Sequence, residues 1–102
     1  MEIIKQLVEN IDDELMDAEK YATYACNMKE KDKLLADTYY KLSIEEMSHM
    51  SMLHDQVVRI ISDFKKSNEV PAGMQALYDY LHKRQIEWAA KIKTKQEMYK
   101  TS

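Results

Sequence analysis

The chain has 102 residues, which is enough for one domain and too few for two. Hydrophobic residues make up 45% and charged residues 32%, a balance typical of a folded protein rather than a disordered one. The formal net charge is -3 at pH 7 and no basic stripe is present, so nucleic acid is not expected as a partner. We expect a single domain over residues 1–102.

Membrane and secretion signals are not expected either. No uninterrupted apolar run approaches the ~20 residues that a membrane span needs. Charges interrupt the N-terminal segment at Glu2 and Lys5, unlike a signal peptide. Cys26 is the only cysteine, so no disulfide can form within the chain. These features favour a cytoplasmic protein without membrane association.

Three long helices are predicted, because the only proline and the only glycine, Pro71 and Gly73, lie two residues apart. We expect the first helix over about residues 3–28, with apolar residues three and four positions apart on one face. That face carries Ile4, Leu7, Ile11, Ala18, Tyr21, Ala22, Ala25 and Met28.

The second helix is expected over about residues 33–66, with Asp32 as a candidate N-cap. Its apolar stripe contains Leu35, Tyr39, Leu42, Leu53, Val57, Ile60 and Phe64. Asn68 is a plausible stop signal after it, and Pro71 suits the start of the next helix. The third helix is expected over about residues 72–100, with Leu77, Leu81, Trp88, Ile92 and Tyr99 as its apolar series.

The predicted fold is therefore all-α. A short turn joins the first two helices, so they should form an antiparallel hairpin to which the third helix adds. Two or three such helices leave apolar surface uncovered. We expect a second copy of the chain to cover the remainder, so that a half-bundle becomes a four-helix bundle by dimerisation.

Three polar residues interrupt the apolar stripes. Glu14 lies within about 40° of Leu7 and Ala18 on the first helix, by the helical period. Glu46 lies in the centre of the second helix's stripe, with His49 one turn further on. Burying an unpaired carboxylate costs several kcal/mol unless it is paired, protonated or bound to a metal. No Lys or Arg lies beside these positions on the stripes, so metal binding is the favoured explanation, with iron, manganese or zinc as candidates.

The ligand count predicts half of a dinuclear metal site. In four-helix di-iron proteins, two helices each supply a Glu and two others each supply Glu-x-x-His. This chain offers one Glu, Glu14, and one Glu-x-x-His, Glu46 to His49. Two chains about a two-fold axis would supply the full set.

The sequence resembles the ferritin-like proteins, and among them the encapsulated ferritins, over roughly residues 10–65. Residues 13–21, DELMDAEKY, resemble the family's first helix, where a metal-binding glutamate precedes a tyrosine by seven positions. Residues 45–49, EEMSH, resemble its Glu-Glu-x-x-His segment, and the separation of 32 residues between Glu14 and Glu46 is similar to that in this family and in rubrerythrins.

The resemblance implies a ferroxidase, which oxidises Fe(II) with oxygen at a di-iron site between two subunits. It makes Glu14, Glu46 and His49 metal ligands and Tyr21 a hydrogen-bond donor beside them. Asp13 and Asp17 match positions that attract incoming metal, although both are Asp here. The resemblance also implies an encapsulin shell as a partner, but the C-terminal tail that targets the family to a shell is not seen, which counts against that partner.

Simpler interpretations stay open at this stage. Glu46 and His49 could be a polar pair beside a groove, and Glu14 alone could reach water from the edge of its stripe. The tyrosines are more often core or interface residues than electron relays, and His54 and His82 are expected at the surface or its boundary. Cys26 is expected to be a small buried residue. The alternative function is a ferritin-like helical scaffold or interaction protein that binds metal weakly or not at all.

Overall fold

A computed structural model describes residues 2–101 as three helices, α1 Glu2–Met28, α2 Lys33–Lys65 and α3 Ala72–Thr101, and no strand occurs within that range. The predicted all-α class is confirmed, and the observed helix limits lie within one residue of the predicted ones. The helices run side by side in a bundle of 55 × 18 × 18 Å. None of them, over the described residues, has a stretch long and apolar enough to cross a membrane.

Local hydrogen bonds set the helix ends. Asp32 caps α2 as predicted, since its side chain accepts a hydrogen bond from the backbone amide of Leu35 at 3.1 Å. Beyond the end of α2, the Asn68 side chain donates to the carbonyl of Phe64 at 3.1 Å. Pro71 lies immediately before α3, and its carbonyl accepts from two amides of the first turn. Each connector therefore ends one helix and starts the next.

The apolar core lies mainly between α1 and α2. Helix α1 packs against both other helices, whereas α2 and α3 meet at few places. All three helices contribute apolar side chains of the main core cluster that are almost wholly shielded from solvent: Ile11, Leu15, Ala18, Val57 and Ile92. The hairpin is thus the body of the fold, and α3 is added to one side of it.

An ion pair holds α3 against α1. The Arg84 guanidinium donates from one nitrogen to both carboxylate oxygens of Asp12, at 2.6 and 2.8 Å. Gln85 donates to the same carboxylate at 3.1 Å and to the carbonyl of Val8 at 3.2 Å. Because these groups are directional, they fix the rotation of α3 about its axis more strictly than apolar contact would.

A buried polar chain links all three helices. The Ser43 hydroxyl, which is fully buried in α2, donates to the carbonyl of Ala18 in α1 at 2.7 Å. It accepts a hydrogen bond from the Gln96 amide in α3 at 2.8 Å. The hydroxyl and this amide donor are therefore satisfied by partners on the other two helices.

Two predictions about burial are wrong. The buried face of α3 is formed by Gln85, Ile92, Gln96 and Tyr99, so half of it is polar. Leu77, which was expected in the apolar series, is 59% exposed, because it lies at an open groove near the start of α3. Cys26 was expected to be buried but is exposed.

The Ser43 link gives a stability prediction. Replacing Ser43 with Ala leaves the buried Gln96 amide without an acceptor, so the free energy of unfolding should fall by roughly 1–3 kcal/mol. The matched control is Ser48→Ala on the same helix, since Ser48 is exposed. The control should change stability by less than about 0.5 kcal/mol in urea unfolding. Equal effects of the two substitutions would contradict the link.

Candidate metal centre

Glu14 of α1 and Glu46 and His49 of α2 form one group. Each offers a ligand atom, and these three atoms lie within 4.8 Å of one another. His49 Nδ1 lies 3.4 Å from Glu14 Oε2 and 3.7 Å from Glu46 Oε2. The hairpin therefore brings together the three residues that the sequence phasing selected, across the line where α1 meets α2.

The two carboxylates are poorly solvated. The side chains of Glu14 and Glu46 are 26% and 19% exposed, whereas that of His49 is 53% exposed. Glu14 Oε2 is buried and, within the described residues, accepts no hydrogen bond. The contact with His49 is close enough for an ion pair but does not satisfy this oxygen as a hydrogen bond. A buried oxygen without a donor marks a place where a proton or a cation would be stabilised.

The proximity of the two carboxyl groups raises the pKa of Glu46 to about 7. The main cause is the hydrogen bond with Glu14, which requires a proton on Glu46, followed by burial and by the charge of Glu14. The nearby His49 acts in the opposite direction, and Asp17 raises the pKa further. Near neutral pH the pair is therefore close to the point at which it exchanges one proton.

The donor set fits a transition metal ion. Two carboxylates and an imidazole are ligands of iron, manganese and zinc. Two donors of one ion that each bind at about 2.1 Å can be no more than about 4.2 Å apart. The ligand atoms of this group, which lie within 4.8 Å of one another, are further apart than a bound ion would hold them, so the side chains must move closer together to bind one.

The group opens on the side of the hairpin that α3 leaves uncovered. Asp12, which binds α3, lies about 160° around α1 from Glu14. Ser43, which also bonds to α3, lies about 60° from Glu46 in one direction, and His49 lies about 60° in the other. The centre is thus accessible from solvent, next to the half-buried apolar side chains of Leu42 and Leu53.

Tyr21 lies about 10 Å along α1 from Glu14, two turns further on. Its ring stacks on that of Tyr39 with the centroids 6.1 Å apart, and the ring of Tyr24 meets Tyr39 edge to face at 5.2 Å. Within the described residues its hydroxyl makes no hydrogen bond to Glu14 or Glu46. The role of Tyr21 as a hydrogen-bond donor to the site therefore stays a prediction.

The two acidic neighbours of Glu14 differ in their surroundings. Asp13 is exposed, whereas Asp17 is half-buried, forms an ion pair with Lys20 at 3.7 Å, and acts on the pKa of Glu46. Both extend the negative charge around the opening of the centre. Such charge raises the local concentration of cations.

A second group of rings was not predicted. His54 of α2 stacks on His82 of α3 with the centroids 4.9 Å apart, and Tyr78 also stacks on His82 at 5.6 Å. His54 Nε2 is buried without a hydrogen bond among the described residues, and burial lowers the pKa of His82. The positions of Tyr78 and His82, four residues apart, place them on one face of α3, but nothing in the sequence indicates His54 as their neighbour.

Comparison with protein-family models, curated proteins and solved structures gives no match for this chain.

The shared proton predicts a pH dependence of stability. The pKa of Glu46 is raised from 4.5 to about 7, so the folded chain holds a proton that the unfolded chain releases. The stability that Glu46 contributes is full below the unfolded pKa and is lost as the pH rises through about 7. In metal-free buffer with chelator, Glu46→Gln should flatten the fall in unfolding free energy between about pH 5 and pH 8.

The control for that experiment is Glu45→Gln, which changes an exposed neighbour and removes the same charge. Its pH profile should run parallel to that of the unmodified chain. An unchanged slope in Glu46→Gln would show that the two carboxyl groups do not share a proton.

Proposed function

We propose that this protein is a di-iron carboxylate protein with ferroxidase-type activity, acting at a site that two subunits form together. The observation that carries the proposal is the group of Glu14, Glu46 and His49, whose ligand atoms lie within 4.8 Å of one another. The ferritin-like resemblance of the sequence supports the same assignment. Manganese or zinc suits the same ligands, so the choice of iron rests on the resemblance.

The charge balance of the group supports a bound cation. Among the described residues, neither Glu14 nor Glu46 forms an ion pair with Lys or Arg, and their common neighbour is His49. Glu14 Oε2 has no hydrogen-bond donor. In the absence of a cation, the pair holds one proton below about pH 7. A divalent ion would replace that proton and satisfy the buried oxygen.

The three residues of the group would contribute differently to iron binding. Glu14 and Glu46 would bind Fe(II) and neutralise its charge, while His49 would bind through a neutral ring nitrogen. Glu46 would lose its proton on binding, so uptake of the ion depends on pH. Iron held by such ligands supplies the electrons for the reduction of oxygen.

The half-set of ligands supports a two-subunit site. One chain brings two carboxylates and one imidazole, and a second copy about a two-fold axis would double this set. The face that carries the group also carries Tyr39, Leu42 and Leu53, which are apolar or aromatic and only half-buried. Pairing two such faces would bury these side chains together with the metal ligands.

A second candidate is a helical scaffold that binds metal weakly or not at all. Several large apolar side chains are exposed on the outer faces of the helices, and such residues favour association with other chains. The two candidates differ in their response to metal, which the following measurements determine.

Iron binding is tested by anaerobic addition of Fe(II) followed by air. We expect about one iron per chain by elemental analysis and a ferric absorbance after oxygen is admitted. Glu46→Ala should abolish both, because it removes a ligand from each half of the site. Glu45→Ala, the exposed neighbour on the same helix, should retain both. Full activity in Glu46→Ala, or no iron in the unmodified chain after reconstitution, would exclude the ferroxidase and favour the scaffold.

Metal-dependent pairing is tested by sedimentation velocity with and without chelator. We expect added Fe(II), under anaerobic conditions, to raise the fraction of dimer, since ligands from both chains bind the same ions. His49→Ala should lose this metal response while keeping its helix content, because the His49 side chain is half-exposed. A metal response that persists in His49→Ala would contradict a shared site.

A further inference from the structure

A groove lies at the end of the bundle where α1 begins and α2 ends, remote from the metal centre. It encloses about 440 Å³ and is bounded by all three helices and by Val70 of the connector. Its walls are mainly apolar side chains, two from α1, two from α2 and three from α3: Ile4, Val8, Ile61, Phe64, Met74, Leu77 and Leu81. Ile4 lies about 15 Å along α1 from Glu14, so the groove does not share residues with the metal centre.

The groove has one uncharged polar side chain that makes no hydrogen bond within the described residues. Tyr78 contributes to the wall, and its hydroxyl makes no hydrogen bond there, whereas the Gln75 amide donates to Asp79. The Tyr78 ring is fixed by the stack on His82. Asp12, which also lines the groove, is paired with Arg84. A molecule in the groove would therefore meet apolar walls and one hydroxyl held in place.

The rim of the groove is acidic. Glu2, Lys5 and Glu9 of α1 lie along it, and Glu2 and Glu9 outnumber the single Lys5. None of the three forms an ion pair among the described residues. This balance disfavours molecules that carry a negative charge.

The volume of the groove suits a small molecule and is too small for a protein segment. Sites for small molecules enclose about 300–1,000 Å³ and combine apolar walls with a few polar groups. Two turns of a helix with side chains fill on the order of 1,000 Å³, more than twice the space that the groove offers. A helix of a second copy would rest on the groove rather than enter it.

We propose that this groove binds an uncharged, elongated apolar molecule that ends in a hydrogen-bonding oxygen, such as an alcohol or a ketone, with its oxygen at the Tyr78 hydroxyl. The apolar walls bury the chain of the ligand, and the acidic rim selects against carboxylates of the same length. The binding site is separate from the metal centre and does not depend on the proposed ferroxidase activity.

The experiment uses the full chain in chelator, so that the metal centre does not contribute. The probe is N-phenyl-1-naphthylamine, an uncharged dye whose fluorescence rises in apolar surroundings, and the competitors are 1-decanol and decanoate. We expect saturable binding of one dye per chain and displacement of the dye by 1-decanol. Decanoate should bind roughly tenfold more weakly than 1-decanol. Equal displacement by decanoate, or no saturable binding, would overturn the proposal.

Two variants locate the site. Leu77→Trp places a larger side chain at the groove and should abolish dye binding, and the partly exposed position allows the fold to accept it. Ile86→Trp, an exposed residue of the same helix outside the groove, is the matched control and should bind dye normally. Tyr78→Phe should weaken the binding of 1-decanol by about 3- to 10-fold and leave the binding of the dye unchanged.

Two further outcomes would count against the proposal. If Leu77→Trp changes the oligomeric mass in sedimentation and Ile86→Trp does not, a second copy of the chain covers the groove. If Tyr78→Phe weakens dye and 1-decanol equally, the hydroxyl does not bind the oxygen of the ligand. Unchanged circular dichroism of the variants separates both outcomes from loss of fold.

Discussion

The main constraint on the hairpin is that two poorly solvated carboxyl groups, those of Glu14 and Glu46, lie close together where α1 meets α2. Both are largely shielded from solvent, and His49 is the basic group next to them. Such a pair is stable only if a proton or a cation lies between the carboxylates. The raised pKa of Glu46 is the first of these solutions, and the proposed metal is the second. The hairpin therefore brings together, where its two helices meet, a carboxyl pair whose protonation changes near pH 7.

The attachment of α3 keeps that group accessible. Asp12 with Arg84, and Ser43 with Gln96, hold α3 on the opposite side of the hairpin through directional polar contacts. An apolar third helix without such contacts could have covered either face of the hairpin. Because α3 is fixed elsewhere, the carboxylate–histidine face retains half-buried apolar side chains such as Leu42 beside Glu14, Glu46 and His49. In the proposed two-subunit site, a symmetric partner would cover these side chains and add its own three residues.

The periodicity of the sequence predicted the three helices to within one residue, and phasing Glu14, Glu46 and His49 on their stripes predicted that they would meet. Both predictions worked because apolar spacing and helix breakers are local signals. On the buried face of α3, Ile92 and Tyr99 were predicted by the apolar spacing, but Gln85 and Gln96 were not, since a glutamine is buried here only because it has partners on other helices. The same holds for the stack of His54 on His82, which joins residues from two helices whose relative rotation a single sequence does not specify.

Anomalous diffraction at the iron absorption edge, from crystals grown anaerobically with Fe(II), would locate a metal bound where two subunits meet. We expect anomalous peaks bounded by Glu14, Glu46 and His49 of one chain and by the same three residues of a second copy. Peaks at other surface carboxylates only, or peaks within a single chain with no second copy beside them, would contradict it.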